Sequence, residues 1–275
     1  MRSIAVINQK GGVGKTTTAV NLSAALARSG WRVGLIDLDP QAHASLHLGL
    51  GQHRELPNVY QLLTGSAKLG EVWQAVDERL QVVPAHIDLA AAEVELAGVV
   101  GRELILRDAL AEAAGETSLD YLIIDCPPSL GILTINALAA VEDVFLPLQP
   151  HYLALHGLSK LLQTIDLVRR RLNDRLRLAG VVLCLYDAST RLAAEISADV
   201  ATFFQDSPAN QPAWRNVHLF EAKIRRNIRL AEAPSFEQSI FEYAPQSAGA
   251  EDYRALADEV LALYGAAAPA VRAAG

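Results

Sequence analysis

Apolar, β-branched runs alternate along the chain with stretches whose apolar positions recur every three to four residues. The runs at 3–8 (SIAVIN), 32–39 (RVGLIDLD), 80–85 (LQVVPA), 120–129 (DYLIIDCPPS), 143–150 (DVFLPLQP) and 178–187 (LAGVVLCLYD) read as buried strands. Two prolines cut the fourth run short. Helical periodicity fills 15–30, ended by Gly30, then 103–115, with Gly115 as the stop. It returns near 154–173, over 191–204 and at about 250–264, and a loop rich in Pro, Asn and Gln occupies 205–216. Strand–helix alternation predicts an α/β fold: a mostly parallel twisted sheet with helices on both faces. No linker divides the chain and no repeat appears, so the pattern predicts one domain over 1–264 and a disordered, Ala-rich tail at 265–275.

Composition narrows the options. The chain has 275 residues, and with 51% hydrophobic residues it can bury a sizeable core. Its net charge of −7 means that nucleic-acid binding would need a local basic patch. Two cysteines, Cys126 and Cys184, are too few for a disulfide framework or a metal cage and read as buried small residues. The first residues run straight into a glycine loop, without the pattern of a signal peptide, and no stretch is long and apolar enough to span a bilayer. The expected location is the cytoplasm.

The segment NQKGGVGKT (8–16) lies between the first strand and the first helix, where a phosphate-binding loop belongs. The ordinary pattern G-x-x-x-x-G-K-[ST] needs one lysine. Here Gln9 holds the place of the leading glycine and a second lysine, Lys10, follows it. Gly11, Gly12 and Gly14, with Val13 between them, let backbone N–H groups turn toward a phosphate chain. Lys15 is expected at the β- and γ-phosphates, Thr16 on Mg²⁺ and Thr17 at the α-phosphate. Asp125 closes an apolar strand, as a metal-side carboxylate should. Asp37 and Asp39 end another strand, and one of them could orient the attacking water; a carboxylate capping the turn before Pro40 is the plainer alternative.

The segments KGGVGKTTT, DLDPQ and DCPPSLGILTINAL together resemble the deviant Walker-A ATPases of the ParA/MinD class, most closely the ParA/Soj partition ATPases. The likeness continues through YLALHGLSKLL and RRNIRLAEAPS and so covers nearly the whole chain. It implies an ATPase with ATP and Mg²⁺ as ligands, and it gives the extra lysine a purpose. Lys10 would cross a homodimer interface to the partner's ATP, so that two subunits sandwich two nucleotides. It also implies Asp39 as the hydrolytic carboxylate, Asp125 as the Walker-B acid, and Thr16, Asp39 and Asp125 around the metal. Asn227 would contact adenine, with Arg225 bordering the base where the family has proline. No N-K-x-D motif for guanine is present.

Arginines cluster at 169–177 (RRRLNDRLR), which also reads as a solvated helix end, and basic residues cluster at 223–229 (KIRRNIR). The resemblance places Arg226 on a surface for non-specific double-stranded DNA, with Lys223, Arg229 and Arg191 as companions. It further implies a ParB-like centromere-binding partner that stimulates hydrolysis, and a nucleoid-associated protein. A MinD-like protein on a membrane would need a basic C-terminal amphipathic helix, and the final helix here is acidic on its polar face, so no stable membrane association is expected. A positioning ATPase with another cargo would share the same motifs. An iron protein of the nitrogenase-reductase type would need two cysteines at a dimer axis, a place Cys126 and Cys184 do not suit.

Departures from the family fall near the switch regions. DPQAHASLHLG carries His43 and His47, and has Ala42 where glycine is usual. QPHYLALHG puts His151 and His156 where the family has acids. Ser189 stands in for an arginine, and PSFE replaces P-S-H-G, leaving Glu237 at a glycine position.

Overall fold

In the computed structural model, residues 1–51, 55–115, 118–151, 157–205 and 213–265 are described. β1 (Arg2–Val6) shows why the apolar runs become central strands. Its side chains alternate: Ile4 and Val6 enter one hydrophobic cluster, while Ala5, and Ile7 just beyond, enter the other. Both sides are covered, so both parities must be apolar.

The other strands are β2 (Val33–Asp37), β3 (Gln74–Asp77), β4 (Leu80–Val83), β5 (Tyr121–Asp125), β6 (Asp143–Leu148), β7 (Arg177–Tyr186) and β8 (His218–Arg225). They form one sheet in the order β3-β4-β2-β5-β1-β6-β7-β8, in which only β3 runs antiparallel to its neighbour. The helices are α1 (Lys15–Arg28), α2 (His43–His47), α3 (Val59–Leu63), α4 (Leu69–Val72), α5 (Leu89–Glu95), α6 (Ile105–Glu112), α7 (Ile132–Ala140), α8 (Leu158–Arg171), α9 (Arg191–Gln205), α10 (Ile228–Glu232), α11 (Ile240–Tyr243) and α12 (Ala248–Leu263). α1 and α12 cover one face of the sheet through Leu22, Leu26, Tyr253 and Leu256. α7, α8 and α9 cover the other through Leu133, Leu162, Ile165 and Val200.

All six expected strands and the five expected helices are present, with ends moved by a few residues. Residues 154–156 of the helix expected near 154–173, most of the 205–216 loop and residues 266–275 of the tail lie outside the described residues. Two strands escaped the pattern. Both are edge strands of mixed polarity: QAVD in β3, and HLFEAKIR in β8, whose charged positions face outward. The short helices α2 to α5 were also missed, since four to seven residues are too few to display a period.

The topology gathers the chemistry. β1 lies between β5 and β6, so connections leave it in both directions and open a crevice at the strands' carboxyl ends. Register sets Asp125 of β5 beside Val6 of β1 and beside Asp37 of β2. The glycine loop leaves β1 at that point.

Candidate functional site

α1 begins at Lys15 with Gly14 as its N-cap, in the left-handed region at φ 95°, and Gly12 lies there too, at φ 72°. Only glycine takes such angles without strain. Thr18 donates to the Gly14 carbonyl at 2.9 Å, while among the described residues the N–H groups of 11–17 donate to no protein acceptor. A side chain built at Gly11 or Gly12 would meet nothing within 4 Å, so these donors open into free space. Unsatisfied N–H groups at the positive end of a 14-residue helix form a cradle for an anion.

Lys15 is buried, and its Nζ donates to the Lys10 carbonyl at 3.1 Å. Burial pulls its pKa down, while Asp125 and Asp39 favour its charge. Thr17 is fixed from behind: Asn21 on the next turn donates to its carbonyl at 2.8 Å and accepts from the Ile240 N–H at 2.8 Å. That links the loop's helix to α11. Sequence reading missed Asn21, though a polar residue on the buried face of an apolar helix is the signal that would have found it.

Three carboxylates stand at the ends of β2 and β5, and each has a different environment. Asp37 is fully buried and satisfied. It accepts from the Asp39 N–H at 3.1 Å, the Ser45 N–H at 2.9 Å and the Ser45 hydroxyl at 2.7 Å. Burial pushes its pKa up to about 6. Asp39 lies two residues past the strand's end, and its Oδ1 accepts from the Gln41 N–H at 2.9 Å. Asp125 is fully buried, and neither of its oxygens accepts a hydrogen bond. Burial and the neighbouring Asp37 raise its pKa well above the carboxylate range. The nearby Thr16 hydroxyl favours the charge without closing a hydrogen bond of ordinary geometry. A buried carboxylate with no donor is costly unless a cation answers it. Asp125 beside the Thr16 hydroxyl therefore fits a hard, oxygen-seeking ion such as Mg²⁺.

α2 straps this corner to the rest of the rim. Ser45 binds Asp37 on one side, and its hydroxyl accepts from the Ala85 N–H at 2.8 Å. On the other side the His47 Nε2 bonds the Gln238 carbonyl at 3.1 Å. Burial lowers the pKa of His47 to about 4, so the bond is made by a neutral ring. His43 is exposed. At two positions where the resemblance expects glycine, the backbone stays left-handed with a side chain in place: Ala42 at φ 52° and Glu237 at φ 56°.

Lys10 is exposed at the loop's lip. Its N–H donates to the Asn8 Oδ1 at 2.9 Å, and Asn8 in turn donates to the Pro147 carbonyl at 2.7 Å. The Lys10 ammonium contacts the His151 Nε2. Below them lies a cavity of about 290 Å³ bounded by Val13, Leu148, Leu158 and Leu161. His156 lies outside the described residues. Cys126 and Cys184 are buried free thiols with pKa values raised by burial, the second to about 12.

The second corner sits at the ends of β7 and β8. The Asn227 side chain caps α10, accepting from the Arg229 N–H at 2.8 Å. Arg225 turns to α12 and pairs with Asp252 at 2.6 Å and Glu251 at 3.1 Å, while its N–H also donates to Asp252. A proline could make none of these bonds. Arg229 pairs with Glu232 at 2.8 Å. Lys223 lies 4.6 Å over the Tyr186 ring. Arg226 is exposed and donates its N–H to the Tyr186 carbonyl; among the described residues it forms no salt bridge, although its charge faces Asp187. Ser189 donates its hydroxyl to Asp187 at 2.6 Å, and the exposed Arg191 opens α9. The arginines at 169–177 largely serve their own fold. Arg169 donates to the Leu176 carbonyl, Arg170 pairs with Asp166, Arg175 with Glu142, and Arg177 with buried Asp143, which also accepts from the Tyr264 hydroxyl.

The chain has relatives of known name. Residues 1–178 match a family model described as an AAA domain. The sporulation initiation inhibitor protein Soj of Bacillus subtilis is 46% identical over 260 residues, covering 94% of this chain and 98% of that protein. The chromosome partitioning protein ParA of Myxococcus xanthus is 45% identical over 261 residues, covering 94% and 88%. Among solved structures, the cobyrinic acid a,c-diamide synthase of Mycobacterium smegmatis with bound ADP and magnesium superposes with a TM-score of 0.80. It is 37% identical, with 96% of both chains covered.

Proposed function

The chain belongs to the ParA/Soj family of chromosome-partitioning ATPases, and from that premise we propose that it is a nucleotide-gated DNA switch. ATP and Mg²⁺ are its ligands, as the magnesium-bound nucleotides in a 37%-identical neighbour support. In the ATP state two copies pair, and the pair holds double-stranded DNA without regard to sequence. A ParB-like partner stimulates hydrolysis and so releases it. Its place is the cytoplasm, on the nucleoid. No described helix is long and apolar enough to cross a membrane. The acidic Glu251, Asp258 and Glu259 of α12 disfavour an anionic lipid surface.

The carrying observation is the buried Asp125 carboxylate without a donor, beside Thr16 and Lys15. Thr16 and Asp125 hold the magnesium, which neutralises phosphate charge when bound. Residues 11–17 wrap the phosphates with N–H groups, and Lys15 supplies a cation that burial keeps unhydrated. Asp39 orients the attacking water. Lys10 reaches across the dimer to the partner's nucleotide, so that charge in the transition state is met by both copies. Asn227 reads the base through the edge its capping bond leaves over. Arg225 borders the base from a position fixed by Asp252. Lys223, Arg226 and Arg191 carry the DNA contacts, with Arg229 at the margin because Glu232 engages it.

The test is binding to a random-sequence duplex at fixed salt, with ADP and then with ATP and Mg²⁺, using Asp39→Ala to block turnover. Tight binding with ATP alone is expected. Equal binding in both states, or none, would overturn the switch.

A further inference from the structure

We propose that His151 is a positioning residue that parks Lys10 on its own protomer, and that protonation of His151 releases Lys10 toward a second copy. The idea rests on the reading of Lys10 as a residue acting across a dimer. Two links run from the end of β6 to this one lysine. Asn8 ties its backbone to the Pro147 carbonyl, and His151, four residues further along the chain, takes its ammonium. An ammonium has only donors, so the imidazole nitrogen it meets must carry a lone pair, and the contact needs neutral His151.

The surroundings make this contact sensitive to pH. From the glycine loop, Lys10 is the charged group that faces His151. β6 and α8 present Leu148, Leu158 and Leu161 to this cavity, and Gln149 is uncharged. Burial and the Lys10 charge both hold the His151 pKa below its ordinary value. The sign follows. At pH 7 to 8 the ring is neutral and Lys10 is held. As pH falls, the ring gains a proton, its acceptor becomes a donor, and two cations repel. Where the family carries an acid at this position, that switch is absent, since an acid stays charged and attractive over the same range.

The measurement is the dissociation constant of the ATP–Mg²⁺ dimer in the Asp39→Ala protein at pH 6 and pH 8, by analytical ultracentrifugation. Freeing Lys10 from one charge-assisted hydrogen bond is worth about tenfold in the dimer constant, and the part of it gained at pH 6 follows the fraction of His151 protonated there. Adding His151→Ala should give the tight value at both pH values, and His151→Gln, which keeps an acceptor but cannot titrate, the weak value at both. The γ-phosphate titrates in every variant alike, so the comparison among them removes its contribution. An unchanged pH slope and affinity in His151→Ala would overturn the proposal. Imidazole NMR gives an independent reading: the His151 titration, identified by its loss in the Ala variant, should move to higher pH in Lys10→Ala. No movement would also overturn it. If Lys10→Ala dimerises like its parent, the reading of Lys10 across the dimer has failed, and the imidazole titration still judges the contact itself.

Discussion

The two ends of the nucleotide crevice treat charge in opposite ways. At the phosphate end, Lys15, Asp37, Asp39 and Asp125 are all buried, and Asp125 closes no hydrogen bond of ordinary geometry, with only the Thr16 hydroxyl near it. At the base end, Arg225, Arg226 and Arg229 are exposed, and two of the three are engaged by acids of their own chain. A buried charge left unanswered costs the fold free energy and points to a ligand. An exposed charge already answered points first to structure, and exposed pairs contribute little to stability. Function is therefore written more plainly at the phosphate end, and variants there should have the larger effects.

The largest effect should come from Asp39→Ala. Losing the residue that aims the water should lower ATP turnover about 1000-fold while ATP binding persists, read by phosphate release and by equilibrium binding. Next is Lys15→Ala, which removes a desolvated cation from the phosphate cradle. ATP affinity should fall about 100-fold, measured by calorimetry. If either protein behaved like the parent, the burial of these groups would be a feature of packing and the contrast between the two ends would collapse.

The bridge between the ends comes third. α2 is held to Asp37 by Ser45 and to Gln238 by His47, whose burial lowers its pKa from 6.5 to about 4. A histidine with a depressed folded-state pKa contributes stability above its unfolded pKa. That stability is lost as pH falls from 6.5 through about 4. The His47 contribution lost by pH 5 is about 2 kcal/mol, while the raised carboxylates Asp37 and Asp125 act in the opposite sense; it is therefore read as the difference in urea stability between the parent and His47→Gln, which should shrink markedly from pH 7 to pH 5. Fourth is Arg226→Glu at the base end. A reversed charge at one phosphate contact should weaken DNA binding about tenfold and flatten its salt dependence, with dimerisation intact. Unchanged DNA affinity would move the contact surface elsewhere.

The sequence pattern made the phosphate end legible because its requirements are local. Gly12 and Gly14 need left-handed angles, Lys15 starts a helix, and Asp125 ends a run of apolar residues; each leaves a mark within a few positions. The base end was less legible because its partners are distant in sequence. Arg225 reads as one member of a basic cluster, yet Asp252 on α12 takes its guanidinium. Nothing in KIRRNIR discloses that. The arginines at 169–177 misled in the same way, as Asp143 and Glu142 precede them by some thirty residues. Edge strand β8 was hidden by its own charges. Ser45 and His47 became informative only once α2 was seen between Asp37 and Gln238.

The smallest prediction concerns the two departures that place side chains at left-handed positions, Ala42 and Glu237. A β-carbon there costs roughly 1 kcal/mol, and glycine removes that cost while giving back part of it as chain entropy in the unfolded state. Ala42→Gly should therefore stabilise the protein by about 0.5 kcal/mol in urea unfolding. Glu237→Gly should gain less, because the Glu237 side chain fills the space over Gly49, within 4 Å of where a β-carbon would stand, and that cover would be lost. The order of the two matters more than either value. If Ala42→Gly destabilised the protein while leaving ATP binding intact, the left-handed turn at the start of α2 would be held by its neighbours and not strained. α2 would then be a rigid spacer between the two ends and not a poised strap.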